Sequence, residues 1–191
     1  MFTYGISAQY GVRSHFYADD SQLYISARPD EAANAASQLV DCMEAMAQWM
    51  ASNRLKLNPA KTDFVRCATR RRQRQLSREA LMFGGATIQP ASTVRDLGVI
   101  LDPALSLGPH INHLVSRCFH QLRRIKSSVR ALPIEAAKTV VNSFVVSRVD
   151  YCSSLLAGVP QYQLDRLQAV MNSAARHWFL VSASSTGFGT Y

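Results

Sequence analysis

Residues 15–26 read His-Phe-Tyr-Ala-Asp-Asp-Ser-Gln-Leu-Tyr-Ile-Ser. Two adjacent carboxylates, Asp19 and Asp20, stand between two alternating runs. Val12, Ser14 and Phe16 alternate with Arg13, His15 and Tyr17 before them. Leu23 and Ile25 alternate with Gln22, Tyr24 and Ser26 after them. Period-2 alternation on both sides of a short polar tip predicts a β-hairpin. A hairpin tip holds its side chains in fixed directions, as a metal site needs. Hard divalent cations such as Mg²⁺ take oxygen ligands, and paired carboxylates are a natural anchor for phosphate chemistry. The local alternative is that Asp favours turns because its side chain bonds the nearby backbone.

Working outward, Arg28-Pro29-Asp30-Glu31 has the acids and proline of a helix start. Leu39, Val40, Met43, Met46, Ala47 and Met50 then follow helical spacing, and Asn53-Arg54 suit a stop. Phe64-Val65-Arg66-Cys67 reads as a strand after Pro59. Residues 66–78 hold Arg66, Arg70, Arg71, Arg72, Arg74 and Arg78 with no acid before Glu79, a loop or frayed strand end that is either solvated charge or a phosphate contact. Leu81-Met82-Phe83 and Ala86-Thr87-Ile88 flank Gly84-Gly85, a two-residue hairpin turn. Val94, Leu97, Val99 and Leu101 suggest a further strand, closed by Asp102-Pro103.

The last third reads as helical. Ile111, Leu114, Val115, Cys118, Leu122, Ile125 and Val129 form an apolar stripe, with Arg117, Arg123, Arg124, Lys126 and Arg130 beside it. Pro133 precedes a second helix carrying Val140, Val141, Phe144, Val145 and Leu155. Pro160 precedes a third with Leu164, Leu167, Val170, Met171 and Ala174. Prolines fit helix starts and resist interiors, and three such helices can pack as a small bundle. Residues 181–191 turn Ser-, Thr- and Gly-rich, which reads as a loose tail.

The totals agree with a folded chain. Hydrophobic residues make up 48% and charged residues 18%, which excludes a disordered composition. A net charge of +8 favours a polyanionic partner. No apolar run reaches transmembrane length, and Met1-Phe2-Thr3-Tyr4-Gly5 lacks signal-peptide features. The expectation is an intracellular protein, nuclear or cytoplasmic, not secreted and with no membrane partner. Cys42, Cys67, Cys118 and Cys152 form no Cys-x-x-Cys pair and read as reduced thiols. His110, His113, Cys118 and His120 cluster, and His110 and His113 would share a helix face, so a metal site is one reading; the spacing fits no zinc finger, and polar surface histidines are the default.

From about Gly11 to about His177 the chain resembles the reverse transcriptase of non-LTR (LINE) retrotransposons, most closely the Jockey-type branch. Tyr17-Ala18-Asp19-Asp20 matches that family's polymerase motif. The resemblance implies an α+β fold: an incomplete polymerase palm over 1–106, of β-hairpins plus a packed helix, then an all-helical thumb bundle over 107–180 and the tail over 181–191. It implies that Asp19 ligates catalytic Mg²⁺ (Mn²⁺ as substitute) with Asp20 beside it, and that Tyr17 lies near nucleotide and primer end. Leu57-Asn58-Pro59-Ala60-Lys61-Thr62 looks like the next motif, whose lysine, here Lys61, neutralises leaving pyrophosphate. Val94-Arg95-Asp96-Leu97-Gly98-Val99 resembles the primer-grip hairpin, with Gly98 permitting close backbone approach. The helical third resembles the thumb, so Arg117, Arg123, Arg124 and Lys126 would lie along an RNA–DNA hybrid. The partners implied are an RNA template, a DNA primer and deoxynucleotides; no oligomeric state is implied. Tyr17 as a strand aromatic, Lys61 as a surface lysine and Gly98 at a strand bulge are the structural alternatives.

A two-metal polymerase needs a further carboxylate from another palm strand. In the family that strand lies well before the Tyr-Ala-Asp-Asp hairpin, and sixteen residues before Tyr17 are too few to hold it. The expectation is a reverse-transcriptase fragment, lacking the first carboxylate motif and fingers, inactive alone. The alternatives are a non-catalytic nucleic-acid-binding remnant and a helical interaction module.

Overall fold

The computed structural model describes residues 2–129 and 132–185. The fold is α+β, with small antiparallel sheets and longer helices in two compact units. The first unit runs to Val94 and takes in Pro103–Leu105; the second takes Arg95–Asp102 and the described residues from Ser106. The hairpin within 95–102 therefore clusters with the helices and not with the residues up to Val94, and the described residues over 107–180 contain no strand.

The first unit begins with α1 (Phe2–Gln9). It ends because Gly11 takes φ +63, while Val12 N–H donates to Ser7 C=O at 2.9 Å and Gly11 N–H to Ala8 C=O at 3.1 Å. Those are the paired bonds of a glycine-terminated helix. The expected hairpin follows as β1 (Arg13–Tyr17) and β2 (Asp20–Tyr24), in register from Arg13↔Tyr24 to Tyr17↔Asp20. A 3₁₀ turn, Pro29–Glu31, leads into α2 (Ala32–Ser52), and the Asn53 side chain donates to Trp49 C=O where α2 stops. Two stripes on α2 divide its work. Leu39, Cys42 and Met46 pack with Val12, Phe16 and Leu23; Val40, Met43 and Ala47 pack with Leu81, Phe83 and Ile88. One helix thus anchors the β1–β2 hairpin and also a second one, β3 (Leu81–Phe83) with β4 (Ala86–Ile88). Gly84 and Gly85, at φ +57 and +77, make the expected turn.

Two expectations here fail. Phe64-Val65 is no strand: Phe64 makes one isolated parallel bridge to Pro90. Ala91 N–H reaches Phe64 C=O, but Pro90 has no N–H with which to extend a ladder. The arginine-rich loop contains one helical turn, α3 (Arg70–Gln73).

The second unit starts at Arg95, inside a third hairpin of β5 (Val94–Asp96) with β6 (Val99–Leu101), where alternation had suggested one strand. Asp102 links it to α4 (Gly108–Val129). Its carboxylate accepts from Ser106 N–H at 2.9 Å, Leu107 N–H at 3.1 Å and the Ser106 hydroxyl at 3.1 Å. Ile111, Leu114, Cys118 and Leu122 recur on one face of α4 and, with Leu107 just before it, pack on Val99, Val141, Val145, Leu167, Val170 and Ala174. The second helix is α5 (Ile134–Val141), a π-turn over Asn142–Val146, and α6 (Ser147–Asp150). It ends before Leu155, contrary to expectation, because Cys152 turns left-handed at φ +55 and Leu155 falls in the 3₁₀ turn Ser153–Leu156. The third helix, α7 (Gln161–Ser185), carries helix past the point where a loose tail was expected; residues 186–191 lie outside the described ones.

Candidate functional site

Tyr17 and Asp20 are the last paired residues of the first hairpin, so Ala18-Asp19 is a two-residue loop. Ala18 sits at φ +52. Left-handed backbone costs a non-glycine residue roughly 1–2 kcal/mol, and such strain gathers at ligand sites. The hairpin's root is fixed by burial: Phe16 meets the Tyr4 ring edge-to-face at 4.9 Å, and Leu23 joins both cores of the unit. Its tip is open. Asp19, Asp20 and the Tyr17 ring, 62% exposed, all face solvent.

The oxygen chemistry suits a hard cation, but the number of donors does not. Mg²⁺ prefers six oxygens in near-octahedral order. Among the described residues, no group of three His, Cys, Asp or Glu side chains converges to hold a metal. The tip therefore offers part of a coordination set.

Lys61 closes a 3₁₀ turn, Pro59–Lys61, whose Ala60 N–H is capped by the Asn58 side chain at 3.1 Å. The turn lies against the β3–β4 tip, where a Cβ on Gly84 would meet Pro59 Cγ at 3.0 Å. Lys61 is exposed, and among the described residues no hydrogen bond or ion pair ties it to either aspartate.

In the second unit, all four cations expected to meet nucleic acid are exposed: Arg117, Arg123, Arg124 and Lys126. His113, Arg117, His120 and Arg124 recur at i, i+4, i+7 and i+11, an exposed stripe opposite the apolar face. No acid lies within α4. Gly98 occupies a turn, not a bulge, with Leu97 at φ +43 and Gly98 at φ +90. The Tyr151 hydroxyl donates to Leu97 C=O at 2.6 Å, and its ring would touch a Cβ on Gly98 at 3.5 Å.

Sequence reasoning assigned no chemistry to Tyr151 or Arg148, and weighed His110 only as a member of the histidine cluster. His110 Nδ1 accepts from Ile100 N–H at 3.3 Å, which fixes a neutral tautomer with the proton on Nε2. Burial, then the neighbouring His113, holds its pKa below the ordinary 6.5. A depressed histidine pKa contributes stability that is complete above 6.5 and is lost as pH falls through the folded value. Thermal melts from neutral to acid pH should show the second unit losing stability below that point, with a shallower loss in His110→Gln. An identical pH profile for the variant would contradict this assignment.

No family model matches the sequence, and no solved structure matches it. Among curated proteins, the chain is similar to the probable RNA-directed DNA polymerase from transposon BS of Drosophila melanogaster, 29% identical over 164 residues. The match covers 84% of this chain and 18% of that protein, so the chain spans less than a fifth of its relative's length. The similarity supports a reverse-transcriptase-like relationship.

Proposed function

We propose that this chain is a palm and thumb fragment of a reverse transcriptase from a Jockey-type non-LTR retrotransposon. The observation that carries the reading is the Tyr-Ala-Asp-Asp sequence at the tip of a rooted antiparallel hairpin, both carboxylates exposed. In this reading Asp19 and Asp20 would hold part of a Mg²⁺ (or Mn²⁺) site, and the metal would supply charge stabilisation and hydroxyl activation for nucleotidyl transfer in an intact enzyme. Tyr17 lines the nucleotide side, and Lys61 neutralises departing pyrophosphate. The β5–β6 turn at Gly98 grips the primer, and the cations of α4 follow the hybrid backbone.

Among the described residues no third carboxylate converges on the Asp19–Asp20 pair, and on this reading the chain does not polymerise alone. Primer extension on an RNA template, with Mg²⁺ or Mn²⁺, is expected to give no product. Synthesis that is lost in Asp19→Asn would overturn that expectation and make the chain a competent enzyme.

A second reading is favoured by one feature, the exposed cations of an α4 that contains no acid. On it the chain binds nucleic acid without catalysis. Binding of an RNA–DNA hybrid unaffected by Asp19→Asn and Asp20→Asn, together with failed extension, is the result it requires.

A further inference from the structure

Beside the Gly98 turn lies a cleft of about 320 Å³, wholly within the second unit. Three arginines from three elements line it: Arg95 of β5, Arg117 of α4 and Arg148 of α6. His110, His113 and Tyr151 complete its polar lining, and none of the residues that line it is acidic. Like charges so gathered repel one another, and a mixed surface would intersperse carboxylates. The neighbouring Cys118 thiol feels the same field: burial raises its pKa, while Arg148 and then Arg117 pull against that rise.

Arg148 carries the sharper sign. Its Nε is shut away from solvent and has no hydrogen-bond partner among the described residues. A buried unpaired donor costs about 1–3 kcal/mol, more when charged, so a native one calls for an explanation. An anion seated in the cleft supplies it. A carboxylate, with one charge and two oxygens, would leave most of this lining uncompensated. A phosphate group carries two charges and several acceptors, and guanidinium forks match its oxygens. His110, protonated on Nε2 even when neutral, adds a donor that needs no positive charge.

The geometry points to a phosphate-binding site in this cleft, recognised by Arg95, Arg117 and Arg148 with His110. Its source is either a free phosphate, such as pyrophosphate, or the terminal phosphate of a nucleic-acid strand. The site rests on the cleft's own residues and does not require the polymerase reading. Failed hybrid binding with intact phosphate binding would remove that reading and leave this one standing.

The test is titration of the full chain with inorganic phosphate and pyrophosphate, followed by calorimetry and by the imidazole resonances of His110 and His113. Saturable binding is expected, with both resonances shifting. Arg148→Met, which keeps the apolar stem, should weaken pyrophosphate about tenfold or more, whereas Arg176→Ala, on the exposed surface of α7 outside the cleft, should leave it unchanged. Displacement of a 5′-phosphorylated oligonucleotide, but not of its 5′-hydroxyl twin, would assign the source to a strand end. Equal behaviour of the two oligonucleotides, with pyrophosphate still saturating, would assign it to free phosphate. Absence of saturation, or imidazole resonances that stay fixed in the unmodified chain, would overturn the site even if the variants fail to fold.

Discussion

Raising salt fourfold will weaken the binding of an RNA–DNA hybrid by about a hundredfold, if the four exposed cations of α4 each neutralise one phosphate. The affinity of such contacts falls with salt at a slope of roughly 0.9 per phosphate in logarithmic terms, because bound counterions are released. Arg117, Arg123, Arg124 and Lys126 all reach solvent from one helix without an acid to compete for them. Replacing all four by alanine should flatten the slope nearly to that of the rest of the chain, while the apolar face of α4 stays packed. Fluorescence anisotropy of a labelled hybrid across a salt series measures it. An unchanged slope in the fourfold variant would place hybrid contacts elsewhere, and the arginine-rich segment around α3 would be the next place to look.

The second large effect is structural. Ile111→Ala should lower stability by about 3 kcal/mol, within the usual 2–5 kcal/mol for emptying a well-packed aliphatic site. Ile111 is 0% exposed and sits in the cluster joining α4 to Val141, Val145, Leu167 and Val170. Its loss would strip packing from three helices together. Urea denaturation monitored by helical circular dichroism reads the change, with Arg124→Ala as a surface control expected near zero. A loss under about 1 kcal/mol would mean that the bundle does not close around Ile111.

The sequence made some of this legible and hid the rest for physical reasons. The first hairpin and α2 were readable because burial on one face imposes a period, and Phe16, Leu23, Met43 and Met46 keep it. Gly84-Gly85 was readable because few other pairs tolerate two positive φ values. Leu97 misled: it continues the alternation of Val99 and Leu101, yet its φ of +43 turns the chain, and hydropathy carries no record of backbone sign. α1 was not expected from the sequence, although Gly11 offered a mark of its end. Phe64-Val65 has strand chemistry but a proline for a neighbour, a fact of tertiary placement.

Of the candidate site, the aspartates and the α4 cations stood out because type and spacing advertise them. The cleft did not. Arg95, Arg148 and the α4 pair His110 and Arg117 come from three elements far apart in the chain, and nothing in the sequence shows that they meet. Tyr151 looked like packing for the same reason, since its partner, the carbonyl of Leu97, leaves no trace in composition.

The π-turn at Asn142–Val146 has a bearing on both Arg148 and Tyr151. A helix advances about 100° per residue, and a single π-turn accommodates one residue more than a straight α path would use. Everything beyond it is therefore out of phase with α5 by roughly that angle. Deleting one residue from Asn142–Val146 would keep every side chain's identity and still swing the guanidinium and phenol about a quarter-turn off their present bearings. Chain length through this helix is thus under the same constraint as the residues it aims.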